Sequence, residues 1–419
     1  MAKKIQVSSE IGNLKRVIVH RPDEGISRIS PRKAEELLFD DIVHLPQMQQ
    51  EHDVFTTLLE HFLGKENVLE TEDLLKEAIE NDRSTTEVII DKIIIDEDLP
   101  NSFKEKLTRL PSEKLAKVLI TGYLEDEDFY LFDPIPNFIF TRDIAVTIND
   151  HVVITKAAKS ARARENFLTR LIFWAHPDFS YLKKEGKLIN LNDLELFPPS
   201  RSGEQVSVEG GDMMILNENY LLIGCSERST AHAIHSLRDI LFEKGAIKNV
   251  VQINIPNDRS YMHIDTIFTQ INKNHIVAYK PIVVDGMSSN VEVHKHNGTS
   301  VFYSSIRDFI KNEINPNMEF LLSGQGLSPW QEREQWTDGC NLVTIKPGVA
   351  FTYDRNPKTS EEFKKYGYSI VHARDLLASF ENGTKKPEDI QNTIINLPSN
   401  ELSRARGGSH CMTCPIERS

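Results

Sequence analysis

Four short blocks hold the residues whose types and spacing could do chemistry: FTRD (140–143), EGGD (209–212), HID (263–265) and RGGSHCMTCP (406–415). Together they supply one cysteine, Cys411, one histidine, His263, and the carboxylates Asp143, Glu209 and Asp265. A thiolate is a strong nucleophile, but a free thiol with a pKa of about 8.5 populates it sparsely, so it needs a nearby positive charge or a partner base. His263 has the titration range of a proton shuttle. The carboxylates exceed what a Cys–His–Asp hydrolase needs, and the surplus suggests a cation to be held. A guanidinium suits them. Its donor fork matches carboxylates two at a time, and its delocalised charge makes its carbon a poor electrophile that must be clamped before attack. Taken singly, each block is weak: a lone His is more often structural, an Asp–Arg pair is often a salt bridge, and Gly pairs are often turns. The combination is stronger, because three of the four blocks touch a repeated strand start.

The elements that must position these residues show as that repeat. DIAVTINDHVVIT starts at Asp143, DMMILNENYLLIG at Asp212, DTIFTQINKNHIVAY at Asp265 and NLVTIKPGVAFTYD at Asn341. Each runs from a polar residue through a strand and an Asn-, Asp- or Gly-rich turn into a second strand, the pattern of a hairpin. Helical patterns follow several of them, at 161–175, 229–243 and 359–366. The starts lie 69, 53 and 76 residues apart, so one supersecondary unit is reused without a fixed period. Units packed about an axis would bring their first polar residues to one end. Asp and Asn also precede strands as ordinary loop residues, but four in register favour a shared site. Upstream, KRVIVHR (15–21) predicts a strand and 50–63 a helix. From 69 to 128 the pattern turns helical and polar. Leu74, Leu75, Ala78 and Ile79 share one face, and Ser112, after Pro111, offers N-cap chemistry to a segment striped by Leu115 and Leu119. We read 69–128 as an inserted helical subdomain, with 1–68 and 129–419 forming the catalytic α/β part.

The chain has 419 residues, with 49 Lys+Arg against 62 Asp+Glu and a formal charge of −13. A hydrophobic fraction of 39% excludes a disordered chain. So negative a charge argues against a nucleic-acid partner, which needs a basic face. The insert carries 17 acidic and 8 basic residues, nine of the thirteen excess negative charges, on what reads as a solvated face. Recognition of a cation therefore falls to the few converging carboxylates. No apolar run approaches the ~18 residues of a membrane span. The segment MAKKIQVSSEIGN lacks the apolar stretch of a signal peptide, and four cysteines in so long a chain are no disulfide framework. The expectation is a cytoplasmic protein without a membrane partner, its thiols free for chemistry.

The blocks, their order and their surroundings resemble the arginine deiminases of the guanidino-group-modifying superfamily, over essentially the whole chain. The resemblance is carried by LLFDD (37–41), PNFIFTRD (136–143), VEGGD (208–212), GCSERS (224–229), MHIDTIFT (262–269), DGCNLVTIKPGVAFTYDRN (338–356) and the Cys-Met-x-x-Pro block at 411–415. It implies an α/β fold, a five-bladed α/β propeller of pseudo-fivefold ββαβ units with the helical insertion; the fifth blade is not visible in the repeat itself. It also implies roles for the residues that match. Cys411 is the nucleophile and His263 the general acid/base. Asp143 and Asp265 hold the guanidinium, and Glu209 supports them. Asn137, Arg162 and Arg228 surround the substrate's α-carboxylate and amine, with Arg164, two residues away, competing for the role of Arg162. Arg406 closes over the substrate from a loop made mobile by Gly407 and Gly408. Phe140 packs on the aliphatic part of the substrate or is a core Phe, and Asp212 joins the substrate-binding set.

The implied activity is hydrolysis of L-arginine to L-citrulline and ammonia by a homo-oligomer, with no metal and no organic cofactor. Other guanidino-modifying activities, agmatine deiminase and dimethylargininase among them, share the site chemistry. A non-catalytic arginine-binding relative would be free to lose Cys411 or His263. Cys411-Met-Thr-Cys414 also spells a Cys-x-x-Cys, which suits a redox motif or half a zinc site. It follows a Gly-Gly loop and has no second ligand pair at zinc spacing, so Cys414 reads instead as a small buried residue.

Overall fold

A computed structural model of the chain describes residues 4–39 and 41–419. Asp40 of the LLFDD block and residues 1–3 lie outside the described residues. All four repeats form antiparallel hairpins: Ala145–Ile148 with His151–Ile154, Met213–Asn217 with Tyr220–Cys225, Phe268–Gln270 with His275–Ala278, and Val343–Lys346 with Val349–Tyr353. Alternating Val, Ile and Phe supply the apolar faces, and the turns use residues that tolerate positive φ, such as Asn149 at 51° and Gly348 at 82°.

In each unit the second strand then pairs in parallel with a strand that returns after a helical crossover. These are Leu188–Asn190, Asn249–Asn254, Glu319–Leu322 and Thr393–Leu397. The helices Ala163–Ala175, Ala231–Glu243 and Pro357–Lys365 lie in three of the crossovers. A fifth unit of the same form is built from both ends of the chain. Cys414–Arg418 runs antiparallel to Leu14–Val19, which pairs in parallel with Val68–Glu70 after the helix Leu45–Leu63. Because its first strand comes last in the chain, no contiguous repeat could reveal it.

The helices Thr71–Asn81, Arg83–Asp96, Ser102–Arg109 and Ser112–Thr121 occupy the 69–128 segment. Leu74, Leu75, Ala78 and Ile79 are buried, as the helical face predicts. They pack in one continuous core with Ile18, Val152 and Ile154 of the strands and with Leu168, Leu171 and Ile172 of the crossover helix. The segment thus docks on the sheets through shared apolar surface. Ser112 differs from expectation: it is the first helical residue rather than the cap, and its hydroxyl donates to Glu80 at 2.6 Å. Outside, Lys104–Asp91, Lys114–Asp126 and Lys117–Glu125 pair at the surface, where such pairs contribute little. No helix among the described residues is long and apolar enough to cross a membrane.

Candidate active site

Asp143, Asp212 and Asp265 each lie in a one-turn 3-10 helix just before the first strand of their unit, and Asn341 lies two residues before its own. The four register positions are linked in sequence by hydrogen bonds. Asp143 Oδ1 accepts from Gly211 N–H at 2.9 Å, and Asp212 Oδ1 accepts from Ile264 N–H at 3.0 Å. Asn341 Nδ2 donates to the Asp265 carbonyl at 3.2 Å, and Asn341 Oδ1 accepts from the N–H groups of His410 and Cys411 at 3.1 and 3.2 Å. The circuit returns when Arg142 N–H donates to the Cys411 carbonyl at 3.0 Å.

Around this circuit lies a cavity of about 40 Å³ lined by Cys411, His263, Asp143, Glu209, Arg162 and Arg228, with Asn137, Phe140 and Arg406 also in its wall. The sequence thus brings nine of its eleven candidate residues to one wall. Asp265 is fully buried behind it. Its Oδ2 pairs with His410 Nδ1 at 2.9 Å and accepts from the Cys411 thiol at 3.6 Å, while its Oδ1 is buried without a hydrogen-bond partner. Asp212 is the exception among the substrate-binding candidates. Ser226 and Ser229 donate to its Oδ2 at 2.6 Å each, Ile264 takes the other oxygen, and Asp212 lines no part of the cavity. Its saturated carboxylate braces the GCSERS loop.

Arg162 sits inside the carboxylate cluster. It reaches Asp143 Oδ2 at 2.7 Å, Glu165 Oε2 at 2.8 Å and Glu209 Oε2 at 3.6 Å. Arg164 points elsewhere: it pairs with Glu97, donates to the carbonyls of Leu119 and Asp133, and stacks on Phe132 at 4.0 Å, fastening the helical insert. Asn137 Nδ2 donates to the Leu37 carbonyl at 2.7 Å, and its own carbonyl accepts from Arg162. Arg228 approaches Glu209 Oε1 at 3.6 Å, and its buried Nε lies 4.0 Å from Glu227 Oε1 without a hydrogen-bond partner among the described residues.

The glycines permit close approach. A Cβ on Gly211 would fall 2.4 Å from His263 Nδ1. One on Gly407 would meet the Phe140 ring at 2.3 Å, and one on Gly408 would meet Asn341 Oδ1 at 2.5 Å. Gly407 and Gly408 are therefore buried packing positions rather than the source of a mobile loop, which corrects the sequence expectation. Arg406 itself takes the left-handed conformation, φ 60°, and lies 3.5 Å from the Trp336 ring centroid. That conformation costs a non-glycine residue about 1 kcal/mol or more.

The charges set the protonation states. Burial alone would lower the pKa of His263, but Asp143, the 2.9 Å bond to Glu209 and Asp212 together raise it to about 10. The imidazole is thus a cation at neutral pH. Cys411 is pushed well above the ordinary thiol range by burial and by Asp265, Asp143 and Asp338, which favours the neutral thiol. Burial raises Glu165 to about 7 against the pull of Arg162, and raises Asp338 to about 7. Burial opposes ionisation of Asp265, yet its hydrogen bond with His410 and the charges of His263 and Arg142 lower its pKa. One atom each of Asp143, Glu209 and His263 lies within 4.8 Å of the others, but the imidazolium offers no lone pair to a cation, and the Arg162 guanidinium already rests on the two carboxylates.

Sequence reasoning passed over a buried chain of side chains behind Cys411. His410 joins Asp265 to Glu10, at 2.9 and 3.3 Å, and Glu10 pairs with Arg142 at 3.3 Å. His410 and Arg142 were inside quoted motifs, but Glu10 lies 400 residues from His410 and carries no local signal. Cys414 is buried with its Sγ 3.1 Å from the Ala145 carbonyl, and burial raises its thiol to about 12. It is a packing residue in the Cys414–Arg418 strand, and all four cysteines are unpaired.

The family model described as arginine deiminase matches residues 35–128 and 108–418. The arginine deiminases of Limosilactobacillus reuteri (strain DSM 20016) and Pediococcus pentosaceus are each 32% identical to this chain, covering 100% of it and 99% of their own length. That of Listeria monocytogenes serotype 4b is 33% identical over 100% of the chain and 98% of its own. Among solved structures, DDAH from Pseudomonas aeruginosa, as a cysteine-to-serine mutant complexed with citrulline, covers 96% of the chain and 99% of its own at a TM-score of 0.51 and 14% identity. The N-terminal domain of ArgZ, a cyanobacterial arginine dihydrolase bound to product, covers 96% and 97% at 0.51 and 14%. At that identity the two structures speak for the α/β fold alone.

Proposed function

The chain belongs to the arginine deiminase family, and from that premise we propose that this cavity hydrolyses L-arginine to L-citrulline and ammonia through a thiouronium held covalently on Cys411. The observation that carries the mechanism is the buried Asp265 carboxylate, whose Oδ2 lies 3.6 Å from the Cys411 sulfur and whose Oδ1 has no hydrogen-bond partner among the described residues. It calls for a donor-rich cation at the point of attack. Asp143 supplies the opposite clamp. Its Oδ2 holds Arg162 at 2.7 Å, so an incoming guanidinium exchanges one cation for another, and Arg162 becomes available to the α-carboxylate together with Arg228 and Asn137.

The chemistry follows from the protonation states. The substrate cation offsets the carboxylates that suppress Cys411 ionisation, and the thiol releases its proton to solvent, where the departed ammonia takes it up as ammonium. The thiolate adds to the guanidinium carbon, forming a C–S bond. His263, a cation with a pKa of about 10, protonates the departing nitrogen, the C–N bond breaks and ammonia leaves. The neutral imidazole then takes a proton from water, and the resulting hydroxide attacks the same carbon. Collapse breaks the C–S bond, returns a proton to sulfur and releases citrulline. Glu209, bonded to His263 at 2.9 Å, orients the ring, and Phe140 and Arg406 enclose the substrate's aliphatic chain. No step calls for a metal or organic cofactor.

The five hairpin-plus-parallel-strand units and the hydrogen-bond circuit support a five-bladed α/β propeller with 69–128 as its inserted helical subdomain. Four unpaired thiols suit a reducing cytoplasm, and a homo-oligomer remains our expectation. The test is release of ammonia and citrulline from arginine, agmatine and methylated arginines assayed side by side. Arginine should be the one efficient substrate. Faster turnover of agmatine or of dimethylated arginine would move the reading to agmatine deiminase or dimethylargininase. Tight arginine binding without product would make the chain a binding protein.

A further inference from the structure

Outside the catalytic cavity, an open cleft of about 520 Å³ separates the helical insert from the sheets. One wall is the helix Arg83–Asp96, which presents Lys92, Ile95 and Asp96. The other is a single stripe of the helix Ala163–Ala175, residues Ala163, Asn166, Phe167 and Arg170, at the spacing that puts them on one face. The floor is the segment 156–160, with Lys156 and Lys159.

Two polar side chains in this cleft are more than nine-tenths buried and lack partners. Arg170, 6% exposed, makes no hydrogen bond and no ion pair among the described residues, and Asn166, 8% exposed, makes no side-chain hydrogen bond. Arg170 rests on the Trp174 ring at 4.5 Å, and its Nε is fully enclosed. Among the described residues Lys92 and Lys156 make no ion pair, although the Asp193 charge acts on Lys92, while Lys159 approaches Glu227 at 3.6 Å. Burial lowers the pKa of Lys92, Lys156 and Arg170, although the nearby Asp193 carboxylate partly offsets it for Lys92 and Arg170. Asp96 is the one carboxylate in the lining. Ile95, 78% exposed, and Leu194, 59% exposed, add an apolar rim beside Phe167.

We propose that this cleft binds a phosphorylated small molecule of nucleotide size, its phosphates on Lys92, Lys156, Arg170 and the Asn166 amide and its body against Ile95, Phe167 and Leu194. Three cations and an amide donor exceed what Asp96 and the nearby Asp193 require, and they match the many acceptor oxygens of a phosphate ester. The ligand end at the first turn of the Ala163–Ala175 helix also meets the positive end of its dipole. The floor leads to the catalytic cavity: Ala158 N–H donates to Glu209 Oε1 at 3.0 Å, and Arg162 follows four residues later. Occupancy is therefore felt at Glu209, and it should change the KM for arginine.

The test titrates full-length protein with AMP, ATP, inorganic phosphate and adenosine, following Trp174 fluorescence. Saturable binding should appear for both nucleotides, more weakly for phosphate, and not for adenosine. A Lys92→Gln/Lys156→Gln double variant, which leaves the catalytic residues in place, should weaken AMP binding by about tenfold or more. Its thermal melting and activity without nucleotide should match the parent, which separates site loss from misfolding. Absence of saturable nucleotide binding would overturn the proposal, as would unchanged AMP affinity in the double variant. Equal affinity for phosphate and AMP would remove the role given to the apolar rim, and equal affinity for adenosine would remove the role given to the cations. Binding needs no arginine turnover, so failure of the catalytic reading leaves this test intact.

Discussion

Asn341 holds Cys411, the proposed nucleophile, at two points. Its Nδ2 donates to the Cys411 sulfur at 3.2 Å, and its Oδ1 accepts from the Cys411 N–H at 3.2 Å. One amide thus sets both the backbone and the thiol, from a neighbouring unit of the fold. Asn341→Leu should lower kcat by about 10²-fold, through a misplaced sulfur, with a smaller change in KM. Asn341→Asp should be as damaging, because a carboxylate beside Cys411 further suppresses the thiolate. Steady-state kinetics check both, and a kcat within a factor of two or so of the parent in either variant would remove Asn341 from this positioning role.

Asn341 also shows how far the sequence could be read. It opens the fourth repeat, in register with Asp143, Asp212 and Asp265, and the circuit of hydrogen bonds follows that register. Its contact with Cys411 was invisible because the last link lies in a unit whose strands come from the two ends of the chain. Asp212 shows the opposite error. Its register was right, yet Ser226 and Ser229, not a ligand, take its carboxylate. The Gly-Gly pair before Cys411 was read as flexibility, when close packing on Phe140 and Asn341 is what excludes side chains there. A single spacing argument could not separate Arg162 from Arg164; the carboxylate cluster around one and the insert around the other do.

The pH behaviour follows from His263. Its folded pKa of about 10 stands above the ordinary 6.5, so the imidazolium's contribution to stability is complete below pH 6.5 and is lost as pH rises from there to about 10. The wild-type melting temperature should therefore fall over that window by more than that of His263→Gln. On the kinetic side, kcat/KM should hold through neutrality and drop near pH 10, as the general acid loses its proton. A descending limb near pH 6.5 would contradict both expectations.

Arg228 should separate arginine from agmatine, which lacks the α-carboxylate. Arg228→Ala should raise KM for arginine by about 10²-fold and leave agmatine nearly unaffected. Equal effects on the two substrates would reject the carboxylate role.

Arg162 and Arg164 should part cleanly. Arg162→Ala leaves Asp143 and Glu209 without their shared cation and should abolish turnover. Arg164→Ala removes the link to Glu97, Leu119 and Asp133, and should destabilise the protein by about 2–4 kcal/mol while KM for arginine stays near the parent value. Thermal melting and steady-state kinetics on the two variants check this, and a raised KM in Arg164→Ala would reverse the assignment.

The central claim is a covalent bond between Cys411 and the guanidino carbon. Its most direct measurement is mass spectrometry of enzyme mixed with arginine, quenched in acid within a turnover and digested. The peptide containing Cys411 should carry an adduct with the mass of arginine less ammonia, and Cys411→Ala protein should show neither adduct nor ammonia release. Ammonia release from Cys411→Ala at the parent rate would contradict the account.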